Sequence, residues 1–206
     1  MKEITNKILA CLFLLLATPI IAGIYGVIHD QITYTICPEY FTNFKFIQFS
    51  TPHELSNSPR LAVALVGFKA TWWVGIPIGL LLCPLGIIKL TSFDFFKLKV
   101  KSIARVFAVT FAVGLIGYLI GQISLETMSL QPIMTGINAS HSELALALTQ
   151  VKDLRGFSLV GQIHIYSYIG GVAGLIVALF YQMRQTKFLR KEMKQFFDLI
   201  KEDAAE

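Results

Sequence analysis

Apolar residues fill four long stretches of the chain: Ile8–Ile28, Ala70–Ile88, Val106–Leu125 and Ile163–Met183. None contains Asp, Glu, Lys or Arg. Each runs about 20 residues, enough to cross a hydrocarbon core of about 30 Å as a helix. Polar and apolar positions do not alternate within them, as they would in barrel strands, and lipid leaves the backbone no third option. The pattern predicts an all-α integral membrane protein. Its single domain over residues 1–206 is a four-helix transmembrane bundle with spans at about 8–28, 66–89, 105–125 and 163–183. Residues 29–60 and 126–162 form loops on the outer side, and 184–206 form a tail on the inner side.

Between the spans the pattern changes. Ile32–Ile36 and Phe44–Phe49 are aromatic and β-branched with partial alternation, and turn residues from Pro38 to Asn43 separate them, which predicts a short β-hairpin over the bundle mouth. Ser140-His-Ser-Glu143 has the capping-box pattern, with Leu144, Leu148 and Val151 on one face beyond it. That predicts an amphipathic outer helix over 141–155, closed by Gly156. Pro19 predicts a kink in the first span, Pro77 and Pro84 a bend in the second. Thr91–Lys101 reads as a short basic inner segment, and the tail carries an apolar stripe that includes Phe188, Leu189 and Met193. Asn138-Ala-Ser140 matches a glycosylation sequon.

Composition agrees: 54% of the residues are hydrophobic and 15% charged, with mean hydropathy +0.62, too apolar for a soluble domain of this length. Charge then orients the bundle. Lys2 and Lys7, then Lys89, Lys97, Lys99, Lys101 and Arg105, then Arg184, Lys187, Arg190, Lys191, Lys194 and Lys201 fall on one side. The opposite loops hold Lys45, Arg60, Lys152 and Arg155. The positive-inside rule puts both termini in the cytoplasm. The net charge of +5 therefore points to lipid headgroups and not to nucleic acid. The first apolar run is too long for an ordinary signal peptide and no A-x-A site follows, so it reads as an uncleaved span. Cys11, Cys37 and Cys83 form neither a C-x-x-C pair nor an even set on the oxidising side.

Lys69 is the charge closest to an apolar run. Counting about 20 residues back from Lys89 reaches it, so it falls near the outer boundary, with Trp72 and Trp73 in the aromatic belt. There it reads as a snorkelling anchor. The alternative is a counter-charge inside the bundle, paired with Asp30, Glu126 or Glu143. Topology gathers other polar residues at the same height: Tyr25 and His29, Gln122 and Glu126, His164 and Tyr168, each pair sharing a helix face. Helix ends are polar wherever water begins. If these faces converge, however, Tyr25, His29, Asp30, Lys69, Gln122, Glu126, His164 and Tyr168 form one polar pocket. His29, His164 and Glu126 would then suit a divalent metal, and the two histidines a haem. Gly75-x3-Gly79, Gly117-x3-Gly121 and Gly170-x3-Gly174 predict close helix contacts in place of a wide pore. The sequence offers no nucleophile–base arrangement, no phosphate loop and no zinc-protease helix, and no catalytic residue is expected.

Residues 29–49, HDQITYTICPEYFTNFKFIQF, followed by 59–80, PRLAVALVGFKATWWVGIPIGL, resemble an uncharacterised group of small bacterial multi-span membrane proteins. The shared features are H-D-Q-x-T-Y, P-E-Y-F, K-F-x-Q-F and G-F-x-A-T-W-W, over about a quarter of the chain. The resemblance implies a bacterial inner membrane and directs attention to the outer face. Three functions are open at this point. The first is a non-enzymatic accessory or scaffold protein with a membrane-protein partner or a second copy of itself. The second is a redox or metal/haem-binding module on the outer histidines. The third is a carrier for an anionic solute with Lys69 as counter-charge.

Overall fold

The computed structural model describes residues 2–51, 57–87, 90–127 and 143–203. Helix α1 spans Lys2–Ile36, a π-helical turn Phe41–Lys45, α2 Phe46–Gln48 and α3 Pro59–Thr71. A 3-10 turn at Trp72–Val74 leads into α4 at Gly75–Leu82, followed by α5 at Ser92–Thr127, α6 at Glu143–Leu148 and α7 at Leu154–Asp203. Glu3–Ile36, Pro59–Leu82, Ser92–Leu125 and Leu154–Leu189 are long and apolar enough to cross a membrane. The protein is an all-α, multi-pass membrane bundle, and no strand occurs among the described residues.

The helices extend beyond the apolar runs, and side-chain caps start two of them, α5 at Thr91 and α7 at Asp153. The basic segment after the second span is not a loop. Thr91 caps α5, its Oγ1 accepting the Asp94 N–H at 3.2 Å and donating to Asp94 Oδ2 at 2.8 Å. The second span is broken at Trp72–Val74, one turn before Pro77, which cannot donate to the carbonyl of Trp73. It stops at Leu82, just short of Pro84.

The β-hairpin expected over 32–49 is helical instead. Ile32–Ile36 continues α1, and Phe44–Phe49 belongs to the π-helical turn, α2 and the cap of α2. Pro38 opens a helical turn, its carbonyl accepting from the Phe41 and Thr42 N–H groups. Burial explains the difference. Cys37, Tyr40 and Phe41 close a core with Val63 of α3 and Val160 of α7, and such packing overrides β-propensity. The outer helix is also shorter than expected, ending at Leu148. Gly156 does not close it. It sits in the first turn of α7, donating its N–H to Asp153 Oδ1 at 2.8 Å, so Asp153 is the cap. Residues 138–142, with the sequon and the start of the capping pattern, lie outside the described residues.

Two tight helix pairs make up the bundle. In the first, α1 crosses α3 at Gly26 and Gly67, where a Cβ on either would stand within 2.4 Å of the other's carbonyl oxygen. Thr71 Oγ1 donates across the crossing to Ala22 O at 2.8 Å. Below it, Gly75 and Gly79 of α4 pack on Thr18 of α1. In the second pair, Gly170 and Gly174 of α7 press on Thr110 and Val106 of α5. Gly117 and Gly121 of α5 likewise meet Tyr166 and Leu159 of α7, so all three glycine pairs read from the sequence lie at helix contacts, the close approach that small residues permit.

The pairs meet at both ends. Towards the basic end, Leu14, Leu82, Ile103, Val106 and Ala178 join them. The far end, here called the cap end, is closed by the Tyr40–Phe41 core. Lys99, read as a boundary cation, is buried at 1% exposure. Its ammonium donates to Leu82 O at 2.6 Å, to Leu85 O, and to Gln182 Oε1 at 2.9 Å, over the Phe95 ring at 4.6 Å. It thereby satisfies carbonyls released where α4 ends.

Candidate functional site

Just below the cap, α1 and α7 face each other through polar side chains. His29 and Asp30 are consecutive on α1, while His164 and Ser167 are three apart on α7 and so share a face. His29 Nδ1 lies 3.0 Å from Asp30 Oδ1, and His29 Nε2 lies 3.1 Å from Ser167 Oγ. His164 Nε2 approaches the same Asp30 oxygen at 3.2 Å, and its Nδ1 lies 2.9 Å from Val160 O. Asp30 and His164 are buried and His29 nearly so.

Proton counting assigns the roles. A carbonyl only accepts, so His164 Nδ1–H donates to Val160 O. With an ionised Asp30, His29 donates Nδ1–H to Oδ1 and leaves Nε2 to accept the Ser167 O–H. Hydroxyl, imidazole and carboxylate then form one directed relay. His164 Nε2 completes the cluster, and its contact with Asp30 is satisfied only by one further positive charge, a proton or a metal cation. Two more polar atoms stand ready. Asp30 Oδ2 and the Tyr25 hydroxyl are buried with no partner within hydrogen-bond distance, the phenol lying towards Ser167. Buried polar groups are rarely left so.

Local features hold this arrangement. Thr33 Oγ1 returns its hydrogen bond to the His29 carbonyl at 3.2 Å, tethering the helix turn beneath the site. Gly114 of α5 leaves room for the serine, since a Cβ there would lie 2.6 Å from Ser167 Oγ. From above, the Tyr40 ring stacks on His164 at 5.0 Å between centroids. Lys45 is buried beneath the cap, its ammonium 5.3 Å from the Phe49 ring centre and 6.0 Å from those of Tyr40 and Phe44. Burial pulls its pKa below the usual lysine value, and the negative Asp30 opposes that pull. Burial likewise pushes the Tyr40 phenol up.

Two clefts flank the cluster. One, of about 260 Å³, lies between α1, α5 and α7. The other, of about 290 Å³, is walled by the same three helices together with the Trp72–Val74 turn and α4. Tyr25, His29 and Ser167 line both.

Of the residues expected at the pocket, Tyr25, His29, Asp30 and His164 come together, and Tyr168 borders the second cleft. Gln122 lines neither cleft, and the side chain of Glu126 lies outside the described residues. Asp30, not assigned to the metal set, is the carboxylate that meets both histidines. Lys69 is exposed and donates to Phe49 O at 3.5 Å, so Lys45 is the lysine buried near Asp30. Haem does not fit the two histidines, whose rings stand edge to face with centres 4.7 Å apart, leaving no space for a porphyrin between them. A single metal ion does fit, because donor atoms of His29, Asp30 and His164 all lie within 4.8 Å of one another. Ser167, Lys45 and Gly114 were not anticipated. The one available signal was the three-residue spacing that sets Ser167 on the His164 face. Comparison of the chain with protein-family models, curated proteins and solved structures finds no match, so the functional reading rests on this geometry.

Proposed function

We propose that the protein is a membrane-embedded acyl-transfer enzyme that hydrolyses an ester, with Ser167 as nucleophile, His29 as base and Asp30 as the carboxylate that orients it. One observation carries this reading: the Ser167 Oγ–His29 Nε2 and His29 Nδ1–Asp30 Oδ1 contacts at 3.1 and 3.0 Å, in line through one imidazole. Such a constellation is recognised by geometry and roles, whatever the fold or chain order. Ser167 Oγ attacks the ester carbonyl carbon while its proton passes to His29 Nε2. The oxygen that becomes negative accepts a hydrogen bond from Tyr25, a donor otherwise unused. The carbon–oxygen bond to the alcohol breaks as His29 protonates that alcohol. Water then attacks the acyl–Ser167 ester, losing its proton to His29, which returns it to Ser167 as the acid leaves.

The orientation belongs to the same proposal: a bacterial inner membrane, both termini cytoplasmic and the cap end outward. The distribution of Lys and Arg and the resemblance of residues 29–80 support it. Turnover of a soluble p-nitrophenyl acetate by detergent-purified protein tests the chemistry. Loss of at least ~10³-fold in Ser167→Ala and His29→Ala supports it, and equal rates in all three proteins contradict it.

A second reading has its own observation, the His164 Nε2 lone pair turned towards Asp30 Oδ1. Asp30, His164 and His29 would hold a divalent cation there, which supplies Lewis acidity when bound. The readings part at His29 Nδ1, which donates to Asp30 in the first and coordinates in the second. Metal analysis separates them: one equivalent of metal lost in His164→Ala supports the second, and the absence of metal in active protein rejects it. Protein inert in both assays favours the accessory or scaffold role. The exposed Lys69 lends no support to an anion carrier.

A further inference from the structure

The two clefts that meet at Ser167 say what kind of ester the site takes. We infer that the substrate is a long-chain lipid ester entering sideways from the bilayer, with its acyl chain in one cleft and its alcohol portion in the other; this rests on the acyl-transfer reading above.

Three observations converge. First, the approaches along the bundle axis are shut. At the cap end Phe41, Val63 and Val160 are fully buried, and towards the basic end Leu14, Leu82 and Val106 join the helix pairs. The sides are open: Ile32 and Leu115, on the walls of the first cleft, are each 50% exposed, and Trp73 and Val172, on the second, 55% and 63%. Those residues lie on helices that span the membrane, so the space they face is hydrocarbon. Second, the two clefts share Tyr25, His29 and Ser167. An ester carbonyl held there carries two substituents, its acyl chain and its alcohol, and two clefts meet at that point to receive them. At about 260 and 290 Å³ the two clefts are close in size, each near the low end of the range of ligand pockets. Third, the buried Tyr25 hydroxyl has no partner within hydrogen-bond distance. An ester carbonyl supplies one where hydrocarbon cannot.

A series of p-nitrophenyl esters from acetate to palmitate, presented in lipid bicelles, tests this. In the wild-type protein kcat/KM should rise at least tenfold from acetate to the long chains. Leu115→Trp fills the first cleft without touching Ser167, His29 or Tyr25. It should bring the palmitate-to-acetate ratio of kcat/KM down to about one, and Ile32→Trp should do the same from the opposite wall. Ser167-dependent acetate turnover with no rise along the series, or with both variants lowering every ester alike, overturns lipid recognition while leaving acyl transfer intact. No Ser167-dependent turnover of any ester overturns both.

Discussion

Two polar knots tie the helix pairs together, one around Lys99 and one around Asp30, and they differ in whether open space reaches them. Lys99 directs its ammonium at two backbone carbonyls and the Gln182 amide oxygen, and neither cleft reaches it. Its charge is consumed in closing the break after α4. Around Asp30, by contrast, two clefts end at the serine and histidine. Burial and charge are common to both knots. Unpartnered polar atoms occur at both, Gln182 Nε2 at the first and Asp30 Oδ2 and the Tyr25 hydroxyl at the second; the open clefts beside the second are what let a ligand reach it.

The contrast breaks if the two knots respond alike to substitution. The largest effect should come from Ser167→Ala: ester turnover falls by about 10⁴-fold, while the unfolding temperature in detergent holds, since the serine contributes one hydrogen bond. Lys99→Ala should do the reverse. It leaves two carbonyls and an amide oxygen without their donor and opens a void, costing about 3 kcal/mol of stability, with the rate per folded molecule unchanged by kinetic assay. Tyr25→Phe sharpens the picture at the cap end. Loss of a single oxyanion donor lowers kcat by about 10²-fold and leaves KM and thermal unfolding nearly as they were. Lys69→Ala should fall within about 0.5 kcal/mol of wild type in stability and leave turnover unaltered, as befits an exposed lysine bound to one carbonyl.

The bundle was legible because hydrocarbon thickness sets the length of an uncharged helix. The helix ends were less so. Thr91–Lys101 reads as a short basic inner segment by composition, yet Thr91 and Asp94 carry a capping signature that starts α5 there. Ile32–Ile36 and Phe44–Phe49 suggested strands by propensity, and partners far along the chain, Val63 and Val160, drew their neighbours into helical packing instead. At the site, Tyr25, His29, Asp30 and His164 stood out as polar groups at helix ends. Ser167 did not, because a serine in an apolar helix ordinarily bonds its own backbone. Only the facing of α1 and α7 turns its hydroxyl to His29. The two lysines show the same limit. Spacing drew attention to Lys69, but the folding of residues 37–49 decides which lysine is enclosed, and it encloses Lys45.

Covalent labelling of Ser167 tests the central claim most directly. Detergent-purified protein is treated with an alkyl fluorophosphonate, which bonds an activated serine oxygen with loss of fluoride, and the adduct is located by peptide mass spectrometry. The account predicts one stoichiometric adduct on Ser167 that vanishes in both Ser167→Ala and His29→Ala. An unlabelled Ser167, or labelling at the same rate without His29, would contradict it.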